Sequence, residues 1–99
     1  MVPEVEPSQR EAASLPIQWN GDLDDDCTAE WAGLTLRAEE MNRGDWWWAV
    51  YDDRSRQVLA DSHALGRASN GHSARAAAER AARMWIAESK VLVASTGEA

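Results

Sequence analysis

The sequence is poor in the residues that build disulfides, metal sites and membrane spans. Its 99 residues include one cysteine, two histidines and three prolines, and no apolar run approaches the roughly 20 residues of a membrane helix. The single thiol, Cys27, has no internal partner for a disulfide or for a paired-cysteine metal site. Residues 1–15 have neither a basic start nor an apolar block. We therefore expect a cytoplasmic protein that does not associate with membranes.

Phenylalanine is absent, and the aromatic content is almost entirely tryptophan, with six Trp and one Tyr. Three tryptophans are consecutive, Trp46, Trp47 and Trp48. Successive side chains of a β-strand point to opposite faces of the sheet, so this run sends indoles to both faces. One face can be buried in a core. The other favours a partner surface, because tryptophan is enriched at protein interfaces.

Negative charge is concentrated in the first half of the chain. Residues 1–53 hold 13 Asp and Glu against 3 Arg, a balance of −10, while residues 54–99 hold 4 acidic residues against 6 Arg and 1 Lys, a balance of +3. An acidic half repels phosphate backbones and is attracted to basic protein surfaces. The same charge also keeps a tryptophan-rich protein in solution, so it does not identify a partner by itself.

The chain is long enough for one small domain. Residues 1–16 contain all three prolines and no apolar period, which predicts a flexible arm. The folded domain is predicted over residues 17–95, followed by a tail at 96–99. Within the domain, period-two alternation predicts three strands joined as an antiparallel meander, over residues 28–41, 46–52 and 57–62.

A C-terminal helix is predicted over residues 74–89, which are dense in alanine, arginine and glutamate, with Ser73 as its N-cap. Alanines form one stripe of this helix and allow it to approach the sheet closely. The predicted fold class is therefore α+β, a three-stranded antiparallel meander packed under one C-terminal α-helix (βββα).

One helix covers only one face of such a sheet. Trp46 and Trp48 share one face of the second strand, and Trp47 and Tyr51 share the other. The leucines of the first strand alternate toward the core, and their pairing with Trp46 and Trp48 would place that face under the helix. The outer face would then carry Trp47, Tyr51 and Arg37.

An acidic run near the start of the domain has the composition of a calcium loop but not its spacing. Asp22, Asp24 and Asp26 fit the first three ligand positions of an EF-hand. Cys27 then stands where that loop needs glycine, and Gly33 stands where it needs glutamate. We predict no metal ion and no cofactor.

No catalytic motif is found either. His63 and His72 lie outside any zinc-binding or hydrolase pattern, and the serines lack a glycine-flanked nucleophile elbow. An enzymatic interpretation would need His63, His72 and Asp61 to converge on one pocket. We predict that the protein is not an enzyme.

Residues 73–84 (SARAAAERAARM), after a three-strand meander, resemble the last helix of double-stranded-RNA-binding domains, in which a serine-led start precedes paired alanines. The residues that match are Ser73, Arg75, Ala77, Ala81 and Ala82. Ala74 and Ala78 stand where that family carries lysines that contact phosphate, and its first helix has no counterpart here. Those lysines supply much of the RNA affinity, so the chain is not assigned to the family.

The leading hypothesis is a non-enzymatic protein that docks an acidic and aromatic surface on a larger protein with a basic surface. Small acidic domains of this kind resemble virus-encoded inhibitors of host defence, including anti-CRISPR proteins, some of which present carboxylates in place of nucleic-acid phosphates. The predicted partner-binding residues are Arg37, Trp47, Tyr51, Asp22, Asp24, Asp25, Asp26, Glu39, Asp52 and Asp53.

Two alternatives remain open. The exposed sheet face could form a homodimer with structural rather than inhibitory function. The basic face of the helix, with Arg75, Arg80 and Arg83, could bind nucleic acid directly. Both alternatives start from the same predicted fold and differ in the surface they use.

Overall fold

The structure, a computed structural model, describes residues 4–91. Its elements in chain order are β1 (Glu4–Val5), α1 (Pro7–Ala12), β2 (Asn20–Asp22), β3 (Asp26–Trp31), β4 (Leu34–Asn42), β5 (Asp45–Asp52), β6 (Val58–Asp61), α2 (Ser62–Leu65), α3 (Gly71–Glu88) and β7 (Lys90–Val91). Within the described residues, no helix is both long and apolar enough to cross a membrane.

The main sheet is an antiparallel meander in the order β2-β3-β4-β5-β6, with α3 packed on it. The predicted α+β class, with an antiparallel sheet and a C-terminal helix, is confirmed. The described sheet has five strands rather than three, so the predicted βββα arrangement is not confirmed. The predicted strand at 28–41 is in fact two strands, β3 and β4, that reverse at Ala32 and Gly33 with positive φ angles of 53° and 76°. Two residues with φ above zero form the tight turn that suits a two-residue hairpin.

The core lies between this sheet and α3. Alternate residues of β3, β4 and β5 point into it, and the buried ones are Cys27, Ala29, Trp31, Leu34, Leu36, Ala38, Trp46, Trp48 and Val50. From α3, the methyl groups of Ala74, Ala78 and Ala82 are completely buried, and Ile86 nearly so. The i, i+4 spacing of the alanines explains how the helix axis comes close to the strands. The helix therefore covers the face of Trp46 and Trp48.

Helix α3 begins earlier than its composition indicates. The side chain of Asn70 accepts a hydrogen bond from the Ser73 backbone N–H at 2.7 Å, so Asn70 is the N-cap and Ser73 lies in the first turn. The prediction of Ser73 as the cap is therefore wrong. Gly71 is required at this point, because a Cβ there would lie 2.9 Å from the backbone oxygen of Leu23 and 3.0 Å from the Trp46 ring.

The N-terminal segment contacts the β3–β4 turn and the C-terminal end of α3. Strand β1 pairs in parallel with β7, and Val5 is only 1% exposed. Gln9 of α1 donates a hydrogen bond to the Ala32 carbonyl at 3.0 Å, and Arg10 donates one to the Ser89 carbonyl at 2.6 Å. The predicted flexibility of residues 1–16 concerns motion and stays a prediction. Residues 1–3 of that arm, and the predicted tail at 96–99, lie outside the described residues.

Candidate interaction surface

The sheet face opposite α3, here called the outer face, presents nine side chains from the three central strands. They are Asp26, Thr28 and Glu30 of β3, Thr35, Arg37 and Glu39 of β4, and Trp47, Ala49 and Tyr51 of β5. All except Ala49 are partly or fully exposed to solvent. This face brings together five residues predicted from the sequence as partner contacts: Asp26, Arg37, Glu39, Trp47 and Tyr51.

One row of the outer face combines carboxylates with an indole. Asp26 lies opposite Glu39, and Glu39 lies opposite Trp47 in the strand register. Asp22 extends the row by pairing with Asp26 from the edge strand β2. Neighbouring strands are about 4.8 Å apart, so adjacent groups of this row lie within the reach of one ligand side chain. The row therefore presents three carboxylates in succession, followed by the Trp47 indole.

Arg37 holds two of these carboxylates in place. Its Nε and Nη2 atoms donate to the two Asp26 carboxylate oxygens at 3.2 and 3.0 Å, and Nη2 lies 3.4 Å from a Glu39 oxygen. The hydrogen bond to Asp26 raises the pKa of the Arg37 guanidinium, against the opposing effect of burial. Arg37 thus binds both Asp26 and Glu39 and restricts the motion of their side chains. Because one positive charge faces two negative charges, the row keeps a net negative charge.

Ala49 closes the centre of the outer face. It is completely buried although no helix covers this side. Its neighbours along the strand are Trp47 and Tyr51, and its partners on the adjacent strands are Arg37 and Asp61. These larger side chains flank the methyl group, which accounts for its burial.

The outer face contains a concavity of about 470 Å³, lined by Asp26, Thr28, Thr35, Arg37, Tyr51 and Arg56. Arg56 enters from the β5–β6 turn with a φ of 64°, the left-handed region that favours glycine. Thr35 donates its hydroxyl hydrogen to Asp53, which joins the rim to the same turn. The concavity is mixed in charge and is continuous with the aromatic part of the face through Tyr51.

The other predicted acidic contacts lie in turns. Asp24 and Asp25 are exposed in the β2–β3 hairpin, where the Asp22 side chain accepts a hydrogen bond from the Asp24 N–H at 2.9 Å. Asp52 accepts hydrogen bonds from the N–H and hydroxyl of Ser55 at 2.9 and 2.6 Å, so it stabilises the β5–β6 turn. Asp52 has the parity of Trp48 and Val50 in β5, so its side chain does not belong to the outer face.

The three arginines of the predicted basic face make different contacts. Arg75 donates to the Leu23 carbonyl at 2.8 Å, and the Arg83 guanidinium lies 5.2 Å from the centre of the Trp31 ring. Arg80 is exposed and lines the space between α3 and α2. It lies three residues before Arg83, so these two arginines are neighbours on the helix surface. Nucleic-acid binding through the three arginines stays a prediction.

A second concave surface, here called the helix-side groove, lies between α2, the loop after it and α3. It comprises adjoining spaces of about 530 and 160 Å³. Its lining includes Trp48, Gly66, Ala77, Arg80 and Ala81, with Leu65 and Met84 at one end and Arg67 and His72 at the other. Leu65 and Met84 are 66% and 52% exposed. Residues 63–72 have no apolar period, so the sequence gives no signal for this groove.

The histidines and Asp61 do not share a pocket. Asp61 accepts a hydrogen bond from the Ala64 N–H at 3.0 Å as the N-cap of α2. His72 lines the helix-side groove, whereas His63 is an exposed residue of α2 that does not. In the described ranges, no three His, Cys, Asp or Glu side chains are grouped to hold a metal ion.

Cys27 is buried in the core, 1% exposed, between β4 and α3. Its thiol donates a weak hydrogen bond to the Ala38 carbonyl at 3.7 Å, and Arg75 lies 4.0 Å from the sulfur. Burial raises the pKa of the Cys27 thiol, and the nearby Arg75 only partly opposes this effect. A protonated, inaccessible thiol is unreactive, so Cys27 serves packing.

Comparisons with protein-family models, with curated proteins and with solved structures find no match to this chain.

Proposed function

We propose that this chain is a non-enzymatic interaction domain that docks its outer face on a basic surface of a larger protein. The observation that carries the proposal is the row in which the Asp26 and Glu39 carboxylates adjoin the Trp47 indole. Aromatic residues anchor interfaces, and carboxylates steer the approach of a basic partner. A partner arginine or lysine beside the indole would gain both an ion pair and a cation–π contact.

The restraint of these side chains supports the same proposal. Arg37 bridges Asp26 and Glu39, and Ala49, between Trp47 and Tyr51 on this face of the strand, is completely buried. Side chains that are already held lose less conformational entropy when a partner binds. A rigid strand surface therefore suits recognition better than the same residues on a loop would.

The finer proposal concerns the partner. A basic surface on a protein commonly serves to bind nucleic acid, and an acidic face that occupies it would act as an inhibitor by replacing phosphates with carboxylates. The balance of −10 over residues 1–53 supports this proposal, since a net negative charge attracts a basic surface. Displacement of nucleic acid from the identified partner is the measurement that would establish it.

The test is a comparative pull-down in which tagged wild-type chain is compared with Trp47→Ala and with Leu65→Ala, a matched apolar truncation in the helix-side groove. We expect a partner that is retained by wild type and Leu65→Ala, lost by Trp47→Ala, and released by high salt. The same order of affinities should hold for the purified partner in a binding titration. Retention by Trp47→Ala, or loss by both variants, would refute docking through the outer face.

A face-to-face homodimer is the second candidate, favoured by one observation. Arg37 and its carboxylate partners carry opposite charges on one surface, so two outer faces related by a two-fold axis could pair with each other. Light scattering would then give twice the monomer mass at high concentration, and Trp47→Ala would reduce it. A monomer at high micromolar concentration would exclude this candidate.

A further inference from the structure

Adjacent tryptophans contribute to two surfaces on opposite sides of the molecule. Trp47 lies on the outer face beside Glu39. Trp48 points the other way, where its Nε1 donates to the Gly66 carbonyl at 3.2 Å and its ring forms a wall of the helix-side groove. Strand β5 therefore connects an acidic aromatic surface with a concave one.

The helix-side groove has the chemistry that the outer face lacks. Leu65 and Met84 are large apolar side chains with more than half of their surface exposed. Arg80 lines the same space, is exposed, and forms no salt bridge with residues 4–91. The small side chain of Ala81 leaves the space open. The groove thus offers apolar contact area and the Arg80 guanidinium, with which a carboxylate of a second molecule could form an ion pair.

We infer that the outer face of one copy docks in the helix-side groove of a second copy, with Glu39 opposite Arg80 and Trp47 against Leu65 and Met84. Charge complementarity identifies the occupant, because the outer face carries the row Asp22, Asp26 and Glu39, whereas the residues that line the groove include Arg67 and Arg80 and no carboxylate. Arginine, methionine and tryptophan are the residue types enriched in interface centres. The inference rests on the proposed function in one respect, since both use the outer face.

The two surfaces differ and lie on opposite sides, so the contact is head-to-tail. A heterologous contact of this kind does not close on itself as a two-fold dimer does, and it leaves one unoccupied surface at each end. Copies therefore add in a series, and a foreign partner that binds the outer face ends the series. Self-association would keep the aromatic face covered until that partner is present.

Sedimentation of the purified chain from low to high micromolar concentration tests the inference. We expect the average mass to rise with concentration beyond that of a dimer, and to fall when salt is added. Glu39→Arg and Arg80→Glu should each weaken association at least about tenfold, because each places like charges across the contact. Glu11→Arg, the same charge change on α1, is the matched control and should behave as wild type.

A charge exchange separates loss of the contact from loss of the fold. The double variant Glu39→Arg/Arg80→Glu restores opposite charges and should recover concentration-dependent association, as should an equimolar mixture of the two single variants. A wild-type monomer at every concentration, a mass that stops at the dimer, or single variants that associate like wild type would overturn the inference. So would a double variant that folds but stays monomeric.

Different results would refute the head-to-tail contact and the docking on a foreign partner. Arg80→Glu leaves the outer face intact, so it should still retain the foreign partner in the pull-down while losing self-association. If wild type is monomeric but Trp47→Ala loses a partner, only the head-to-tail contact is refuted. If self-association follows the charge exchange and no variant changes the pull-down, only the foreign partner is refuted.

Discussion

The guanidinium of Arg37 donates hydrogen bonds to both carboxylate oxygens of Asp26, on the neighbouring strand, at 3.2 and 3.0 Å. Both side chains keep about two fifths of their surface exposed, 39% for Arg37 and 40% for Asp26. Water and salt screen an ion pair at that exposure, so its main effect is to orient the carboxylate rather than to stabilise the fold.

A double-mutant cycle with Arg37→Gln and Asp26→Asn measures this pair. We expect a coupling free energy of about 1 kcal/mol or less from urea unfolding, decreasing in high salt. A larger, salt-independent coupling would show that the pair is a structural anchor of the sheet and not a restraint on a surface group.

Truncation of each tryptophan should show its separate role. Trp48→Ala removes a buried ring from the core and should lower the free energy of unfolding by about 3–5 kcal/mol. Trp47→Ala should lower it by only about 1 kcal/mol, since its ring is partly exposed. Chemical denaturation followed by circular dichroism compares the two, and equal losses would contradict the assignment of Trp47 to a binding surface.

Stability should fall at alkaline pH because of Cys27. Burial raises the pKa of this thiol above its ordinary value of 9.0. The unfolded chain therefore ionises first, and the stability due to the neutral thiol is fully present below about pH 9 and is lost as pH rises through the folded pKa. Urea unfolding of wild type and Cys27→Ala at pH 7 to 10.5 should show a steeper decline for wild type. Parallel curves, or rapid reaction of the native thiol at pH 8, would refute this account.

Arg56 should be replaceable by glycine with a gain in stability. Its φ of 64° is strained for a residue with a Cβ, so Arg56→Gly is expected to stabilise the fold by about 0.5–1 kcal/mol. Arg56→Ala keeps the Cβ and is the control, with no gain expected. Thermal unfolding of the three proteins decides the question, and a loss on substitution by glycine would mean that the guanidinium stabilises the concavity.

The close approach of α3 should make its buried alanines intolerant of size. Ala82 is completely buried against the sheet, whereas Ala87 is exposed on the same helix. We expect Ala82→Leu to lower the free energy of unfolding by about 1–3 kcal/mol and Ala87→Leu to change it little. Similar effects at both positions would contradict the packing of the helix on its alanine stripe.

The sequence predicts well those parts of the fold in which apolar side chains recur with the period of a strand or a helix. Alternation in β5 separates Trp47 from Trp48, and the alanine spacing of α3 marks its buried side, because each pattern follows directly from backbone geometry. The same patterns predict that Arg37, Trp47 and Tyr51 share a face.

Elements held by backbone contacts leave no such pattern. All three residues of β2, Asn20–Asp22, are exposed, so their composition indicates a turn rather than a strand. The buried positions also change from odd to even numbers between Trp31 and Leu34, and a single strand predicted over residues 28–41 overlooks this change of phase at the β3–β4 turn. Anchors such as Gln9 to the Ala32 carbonyl join positions far apart in the chain, where local composition gives no signal.

The helix-side groove escapes prediction for a related reason. Its far wall is a loop that is fixed by two backbone hydrogen bonds between Trp46 and Ala68, at 2.9 and 3.1 Å. Glycine and serine in that loop indicate an irregular connection and do not tell where it packs. Only the folded sheet places it against α3, so this surface arises from tertiary contacts.

The parallel pairing of Glu4 with Lys90 joins positions at nearly opposite ends of the described chain. Closing so long a loop costs conformational entropy before the short pairing can offset it. The pairing should therefore form late in folding, after the meander and α3 have brought the ends together, and it should be among the first to open in the native state. Amide hydrogens of β1 would then exchange faster than those of β4, so the N-terminal segment can detach while the rest of the domain stays folded.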